Sequence, residues 1–264
     1  MAPLTPEPAL VFIGFMGAGK SKAVQAASSI GLEAVDADAL VERELGMPMD
    51  RFFAERGEED FRAREAEATV ALLDRAAGGA IALGGGAVLS KAVREALRRH
   101  VVVWLEVDPE AAWERVGGSD RPLARDRDSF ERLLAERAPV YERLADAIVV
   151  GERAVVERAL PFLAALTDLP QGTRMAWAKS ASGDYPAYVG RGLLDAEPLG
   201  RAARYGDIGL TPRAFCVTDT TVRSLYRRQA DAFEATIEVD PGEQAKTLAE
   251  AERVLRELAA AGWW

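Results

Sequence analysis

Gly14-Phe15-Met16-Gly17-Ala18-Gly19-Lys20-Ser21 fills every fixed position of the phosphate-loop pattern G-x-x-x-x-G-K-[ST]. An apolar run, Ala9-Leu10-Val11-Phe12-Ile13, precedes it and reads as a buried parallel strand; Ser21 to Ile30 follows and reads as a helix. Strand, glycine-rich loop and helix are what phosphate binding requires. Glycines let backbone N–H groups turn inward, and the helix N-terminus adds the positive end of its dipole. Gly17, Ala18 and Gly19 would cradle the phosphates, Lys20 would reach the β- and γ-phosphates, and the Ser21 hydroxyl would bind Mg²⁺. The alternative is a glycine-rich turn that binds nothing, and the flanking elements argue against it. The loop names the phosphate donor and leaves the acceptor open.

Around this loop, residues 9 to about 167 alternate strand-like and helix-like segments. Strands are expected at Ala9–Ile13, Leu32–Val35, Ala80–Leu83, Val101–Val107 and Ala147–Val150, and the clearest helices at Phe61–Arg75 and Ser129–Leu144. The alternation predicts an α/β domain, a five-stranded parallel sheet with helices on both faces. Thr167-Asp168-Leu169-Pro170-Gln171-Gly172 breaks the pattern and reads as a linker between a domain 1–168 and a segment 173–264. In the second segment, strands are expected at Met175–Ala178, Ala187–Val189, Ala214–Val217 and Ala235–Val239, and helices at Thr221–Phe233 and Gln244–Ala261. It reads as a small α/β unit resembling half of a nucleotide-binding domain. The closing Trp263-Trp264 pair would either pack back on the fold or belong to a larger domain.

Composition bounds the partners. The 264 residues carry a net charge of −9, which argues against nucleic acid and anionic membranes as main partners. It leaves room for a small anionic ligand gripped by local arginines. A single cysteine, Cys216, excludes an intrachain disulfide, fits a reducing cytoplasm and reads as a buried inert thiol. A single histidine, His100, excludes a multi-histidine zinc site and stands at the start of a strand. No apolar run has the length of a membrane span, and the N-terminus lacks the basic start of a signal peptide.

Acceptor chemistry is expected where strands end beside the loop. The second strand runs into Val35-Asp36-Ala37-Asp38: one carboxylate can support Mg²⁺ through water, the other can take a proton from an attacking hydroxyl. Taken alone, Asp38 reads better as the N-cap of a helix Ala39–Leu45. The third strand ends in Gly84-Gly85-Gly86 without the aspartate that many phosphate-loop proteins place there. That leaves the metal role to Asp36 and frees backbone N–H groups for a ligand, although a bare tight turn would look the same. Arg62, Arg121 in the lid-like stretch Ser119 to Asp126, and Arg137 are each ordinary surface charges taken singly. Together they suit a bidentate grip on carboxylate or phosphate.

In order along the chain, GFMGAGKS, VDADALVERELG, FFAERGEEDFRAREAE, LGGGAVL, GSDRPL and ERAPVYERLAD resemble the shikimate kinase family. The resemblance implies transfer of a phosphoryl group from MgATP to the 3-hydroxyl of shikimate. By position it implies that Lys20 and the loop amides hold the phosphates, with Ser21 on the metal and Asp36 behind it. Asp38 would meet the accepting hydroxyl, Arg62 and Arg137 the shikimate carboxylate, and Gly85 would add a backbone contact. Arg121 would close over the phosphates, and Arg115 would lie near adenine. The family usually reads GKST where this chain has Lys22 after Ser21, and altered nucleotide packing is expected there.

The second segment resembles the start of 3-dehydroquinate synthase, at Tyr185 to Leu194, at Thr218-Asp219 and at Pro241 to Leu248. That family uses NAD and zinc, and the match would make Asp219, Glu243 and Lys246 NAD contacts. The family's later glycine-rich and zinc-binding parts have no counterpart in this sequence, so the expectation is an incomplete, inactive synthase segment fused to the kinase. The rival readings are another small-molecule phosphate-loop kinase, such as a gluconate kinase, and a non-catalytic nucleotide-binding assembly module.

Overall fold

Leu10–Ile13 (β1) is buried along its whole length and sits at the centre of a parallel sheet, between Ala80–Ala82 (β3) and Val101–Glu106 (β4). A strand so placed can offer only apolar side chains to the helices on both faces, which is why its sequence does not alternate. The computed structural model describes residues 7–117, 126–181, 183–193 and 215–263. It divides into two units, 1–191 and 192–264.

In the first unit the sheet runs in the order β2-β3-β1-β4-β5-β6-β7. Here β2 is Ala34–Asp36, β5 is Ala147–Val150, β6 is Arg174–Ala178 and β7 is Tyr185–Val189. The helices are α1 (Lys20–Ser29), α2 (Ala37–Leu45), α3 (Met49–Arg75), α4 (Lys91–Leu97), α5 (Pro109–Val116), α6 (Arg127–Leu144) and α7 (Arg153–Ala165). The chain leaves β1 towards β2 and β3 on one side and towards β4 and β5 on the other. The strand order therefore reverses beside β1, and the crevice at the C-terminal strand ends opens there.

The expected five parallel strands are present, but the sheet does not stop at them. β6 adds parallel to β5, through Met175 N–H to Asp146 O at 2.8 Å, and β7 returns antiparallel to β6. Met175 and Trp177 are buried, Phe162 of α7 lies 5.5 Å from the Trp177 ring, and the Tyr188 hydroxyl donates to Phe162 O. Pro170 and Gly172 form a tight turn closed by the Thr173 hydroxyl on Pro170 O at 2.6 Å. The segment read as a linker thus lies inside the first unit. The open edge of β5 supplies the reason: an unpaired row of N–H and C=O groups takes up the next available strand.

Long α3 begins earlier than the pattern suggested and bends at Gly57, whose φ of 84° is outside helical space. Below the sheet's other end, His100 is buried directly before β4. Its Nδ1 accepts from Ala9 N–H at 3.2 Å and its Nε2 faces Leu73 O at 3.1 Å. The neutral ring with its proton on Nε2 satisfies both partners.

In the second unit, Phe215–Asp219 (β8) pairs in parallel with Ala235–Val239 (β9). Helices follow at Thr220–Leu225, Arg227–Ala230 and Leu248–Ala260. The expected single helix at Thr221–Phe233 is thus two short ones. Cys216 is half-buried and Trp263 exposed.

Burial, the leading cause, and Arg99 lower the His100 pKa below its ordinary 6.5, while its bond to Leu73 O and Asp74 oppose them. The unfolded chain then binds the extra proton first, so stability is full above pH about 6.5 and falls as the pH drops through it. The urea midpoint should decrease from pH 7.5 to 5.5, and His100→Gln should flatten that slope. An unchanged slope in the variant would show that His100 does not carry the effect.

Candidate active site

The phosphate loop spans the turn from β1 into α1. Gly14 takes φ +146°, and a Cβ there would stand 2.6 Å from Leu105 O, so both conformation and space require glycine. Gly19 caps α1, and the first ladder bond is Ala23 N–H to Gly19 O at 3.0 Å. The N–H groups of the preceding turn therefore project from the helix end. The Lys20 ammonium folds back over the loop onto Gly14 O at 2.9 Å and Phe15 O at 3.0 Å. Arg115 donates to Gly17 O at 2.8 Å and, less closely, to Gly151 O, tying α5 to the loop.

Across the crevice, Ser21 Oγ donates to Asp36 Oδ2 at 2.7 Å, while Asp36 Oδ1 accepts from Asp38 N–H at 3.1 Å. Asp36, not Asp38, is the N-cap of α2, which leaves the Asp38 carboxylate outside that cap. A hydroxyl and a carboxylate in contact at the loop fit Mg²⁺, which takes one or two protein oxygens and completes its shell with waters and phosphates. Among the described residues no cluster of three or more His, Cys, Asp or Glu could form a metal cage.

The turn after β3 is crowded at Gly84 and at Gly86. A Cβ on Gly84 would lie 2.6 Å from Asp38 Oδ1 and 2.7 Å from Glu65 Oε1, and one on Gly86 would collide with the Arg62 guanidinium. Arg62 pairs with Glu65 at 2.6 Å and lies over the Phe53 and Phe61 rings. Gly85 O accepts from Tyr141 OH at 2.7 Å and more weakly from Arg137 at 3.4 Å. Arg137 is 7 % exposed, packs over the Phe15 ring, and its Nε is buried without a hydrogen-bond partner. A buried, unsatisfied guanidinium N–H is costly, and a ligand carboxylate would satisfy it.

Three of the four expected acceptor residues, Asp38, Arg62 and Gly85, thus meet at one turn, with Arg137 bonded to the same Gly85. Glu65 and Tyr141 were not anticipated. Burial, the leading cause, and Asp38 raise the Glu65 pKa, against Arg62 and Arg137. Burial also pushes the Tyr141 hydroxyl up to about 12, so it remains a hydrogen-bond donor. Lys22 is exposed on the first turn of α1. Arg121 lies outside the described residues. In the second unit, Asp219 caps its helix by accepting from Val222 N–H at 2.8 Å, and exposed Lys246 pairs with Glu243 at 2.7 Å.

A phosphate loop at the switch point of a mostly parallel α/β sheet, facing carboxylates and arginines, defines a small-molecule phosphotransferase of the phosphate-loop class. Residues 16–166 match the shikimate kinase family, and the chain belongs to it. It is 42% identical over 163 residues to the shikimate kinase of Salinispora arenicola, covering 60% of this chain and 97% of that one. With the Mycobacterium avium shikimate kinase the identity is 43% over 143 residues, 52% of this chain and 81% of the relative. Among solved structures, shikimate kinase from Acinetobacter baumannii in complex with shikimate superposes with a TM-score of 0.56 at 30% identity, over 59% of this chain and 92% of that one. Shikimate kinase from Bacteroides thetaiotaomicron superposes at 0.52 with 26% identity, over 61% and 99%. Among the described residues no helix is long and apolar enough to cross a membrane.

Because Asp38 and Glu65 fill the space beside Gly84, Gly84→Ala must displace both carboxylates. Acceptor-dependent turnover should fall more than about tenfold while nucleotide affinity stays within about twofold, since the phosphate loop is untouched. Steady-state rates with calorimetric ADP binding check this; equal losses in both would locate the damage in the fold as a whole.

Proposed function

We propose that the first unit transfers the γ-phosphoryl group of ATP to the 3-hydroxyl of shikimate. The observation that carries this reading is the buried, unpartnered Nε of Arg137 beside the Gly85 turn. It provides for a carboxylate at a fixed place opposite the phosphate loop, and Arg62 provides a second guanidinium. Asp38 then stands beside the same turn, where a ring hydroxyl of a carboxylate-bearing polyol would lie.

Chemically, the 3-hydroxyl oxygen forms the new bond to the γ-phosphorus, the bond from that phosphorus to the bridging β–γ oxygen breaks, and ADP leaves. The hydroxyl proton passes to the Asp38 carboxylate. Lys20 and the amides of Gly17, Ala18 and Gly19 hold the phosphates. Mg²⁺, held by Ser21 and supported by Asp36, would neutralise phosphate charge. Arg115, already bonded to Gly17 O, braces the loop and borders the nucleotide. Gluconate is also a polyol carboxylate. The ordered motifs and the family membership favour shikimate over it, and the intact Lys20, Ser21 and Asp38 favour catalysis over an assembly role.

ADP release measured with MgATP should rise well above the ATP-only background on adding shikimate and not gluconate. Asp38→Asn should lower that rate by about a hundredfold or more and leave ATP binding nearly intact. A rate equal to background in the wild type would overturn the kinase reading, and loss of ATP binding in the variant would make Asp38 structural.

For residues 173–264 we propose a partial 3-dehydroquinate synthase-like segment without synthase activity of its own. Asp219 is occupied as a helix cap, and Glu243 and Lys246 neutralise each other in solvent. No histidine lies in these residues to build a multi-histidine zinc site. Titration of the full chain with NAD should give no saturable binding; saturation abolished by Lys246→Ala would contradict this.

A further inference from the structure

We infer that Tyr141 is a positioning residue for the acceptor: it holds the Gly85 carbonyl, so that Arg137 can leave that carbonyl for a ligand carboxylate. The inference rests on the carboxylate reading of the acceptor pocket. Arg137 and Tyr141 stand four residues apart on α6, so their side chains leave one face of the helix a turn apart. Both reach the same acceptor. The Tyr141 hydroxyl donates to Gly85 O at 2.7 Å, whereas Arg137 Nη1 approaches that oxygen only to 3.4 Å. The first is a hydrogen bond of ordinary length and the second a loose one.

The two donors differ in what else holds them. The Tyr141 ring is fully buried, with the Trp104 ring 6.4 Å away, so its hydroxyl is fixed in place. Arg137 is buried too, but its Nε has no hydrogen-bond partner and its guanidinium lies over the Phe15 ring of the phosphate loop. Burial raises the Tyr141 pKa and the Arg137 charge opposes it, which places the guanidinium close to the hydroxyl. One side chain is therefore anchored on the turn, and its neighbour is held there weakly with a donor to spare.

A carboxylate in the pocket would draw the Arg137 fork towards it. That movement gives up the loose contact with Gly85 O. With Tyr141 in place the loss is small, because the carbonyl keeps its closer donor. With phenylalanine there, Arg137 is the donor left to that carbonyl. The guanidinium would then close on Gly85 O, and ligand binding would have to pull it away. A seated ligand also shuts water out of the turn, so a carbonyl abandoned there finds no replacement partner. Tyr141 thus acts on the ligand through Arg137 and needs no contact of its own.

Steady-state kinetics of the full chain in the wild type, Tyr141→Phe, Arg137→Met and the double variant test this. Tyr141→Phe should raise KM for shikimate about three- to tenfold, with kcat and KM for ATP within about twofold of the wild type. Phenylalanine keeps the ring beside Trp104, so the melting temperature should fall by no more than about five degrees. In the Arg137→Met background no donor has to be drawn away from Gly85 O. Adding Tyr141→Phe there should change KM for shikimate by less than about twofold. A tyrosine that only supports the fold would give the same loss in both backgrounds and would lower kcat and ATP affinity with it. That pattern, or an unchanged KM in Tyr141→Phe, would overturn the inference and leave the acceptor reading standing. Absent shikimate-dependent turnover in the wild type would overturn both.

Discussion

Space at the end of β3 is the constraint on which the site depends. Asp38 arrives from α2, and Arg62 and Glu65 from α3, and all three press on the turn Gly84 to Gly86. A side chain at Gly84 or Gly86 would collide with them, so the strand ends in bare backbone at those two positions, and the Gly85 carbonyl between them meets Tyr141 and Arg137 of α6. Three helices are thereby referenced to one backbone turn. The arrangement places two acidic and two basic groups in a small, partly dry volume, where charge interactions are stronger than in water. Glu65 fixes Arg62, and that pair offsets part of the cost of burying Glu65 beside Asp38.

On the other wall the phosphate loop obeys the same logic with opposite charge. Gly14 brings backbone within reach of Leu105, and the end of α1 collects amides and ammonium groups. Ser21 and Asp36 join the two walls through one hydrogen bond. Asp36 also caps α2, so the residue proposed to support Mg²⁺ sets the start of the helix that carries Asp38. Donor and acceptor sides are coupled through that single carboxylate.

Much of this was legible because it is local. The phosphate loop is a spacing rule, and Asp36, Asp38 and the triple glycine follow strand ends. What escaped depends on tertiary contact. Glu65 stands in a run of charged residues from Glu58 to Glu67, and only the packing of α3 against the sheet separates it, at 5 % exposure, from its solvated neighbours. Tyr141 reads as one more apolar position of α6 until Gly85 O is found beside it. The capping role fell on Asp36 because α2 starts two residues earlier than expected, at Ala37. Pro170 and Gly172 carry the composition of a linker, yet the free edge of β5 draws β6 and β7 into the first sheet, and no local signal records which edge is free.

The central claim is that this pocket moves a phosphoryl group onto shikimate. Phosphorus NMR of a mixture of the full chain, MgATP and shikimate tests it most directly. The account predicts one new phosphomonoester resonance growing in step with ADP, coupled to the proton on C3 of the ring. ADP accompanied only by inorganic phosphate, or a phosphoester on another ring carbon, would contradict it.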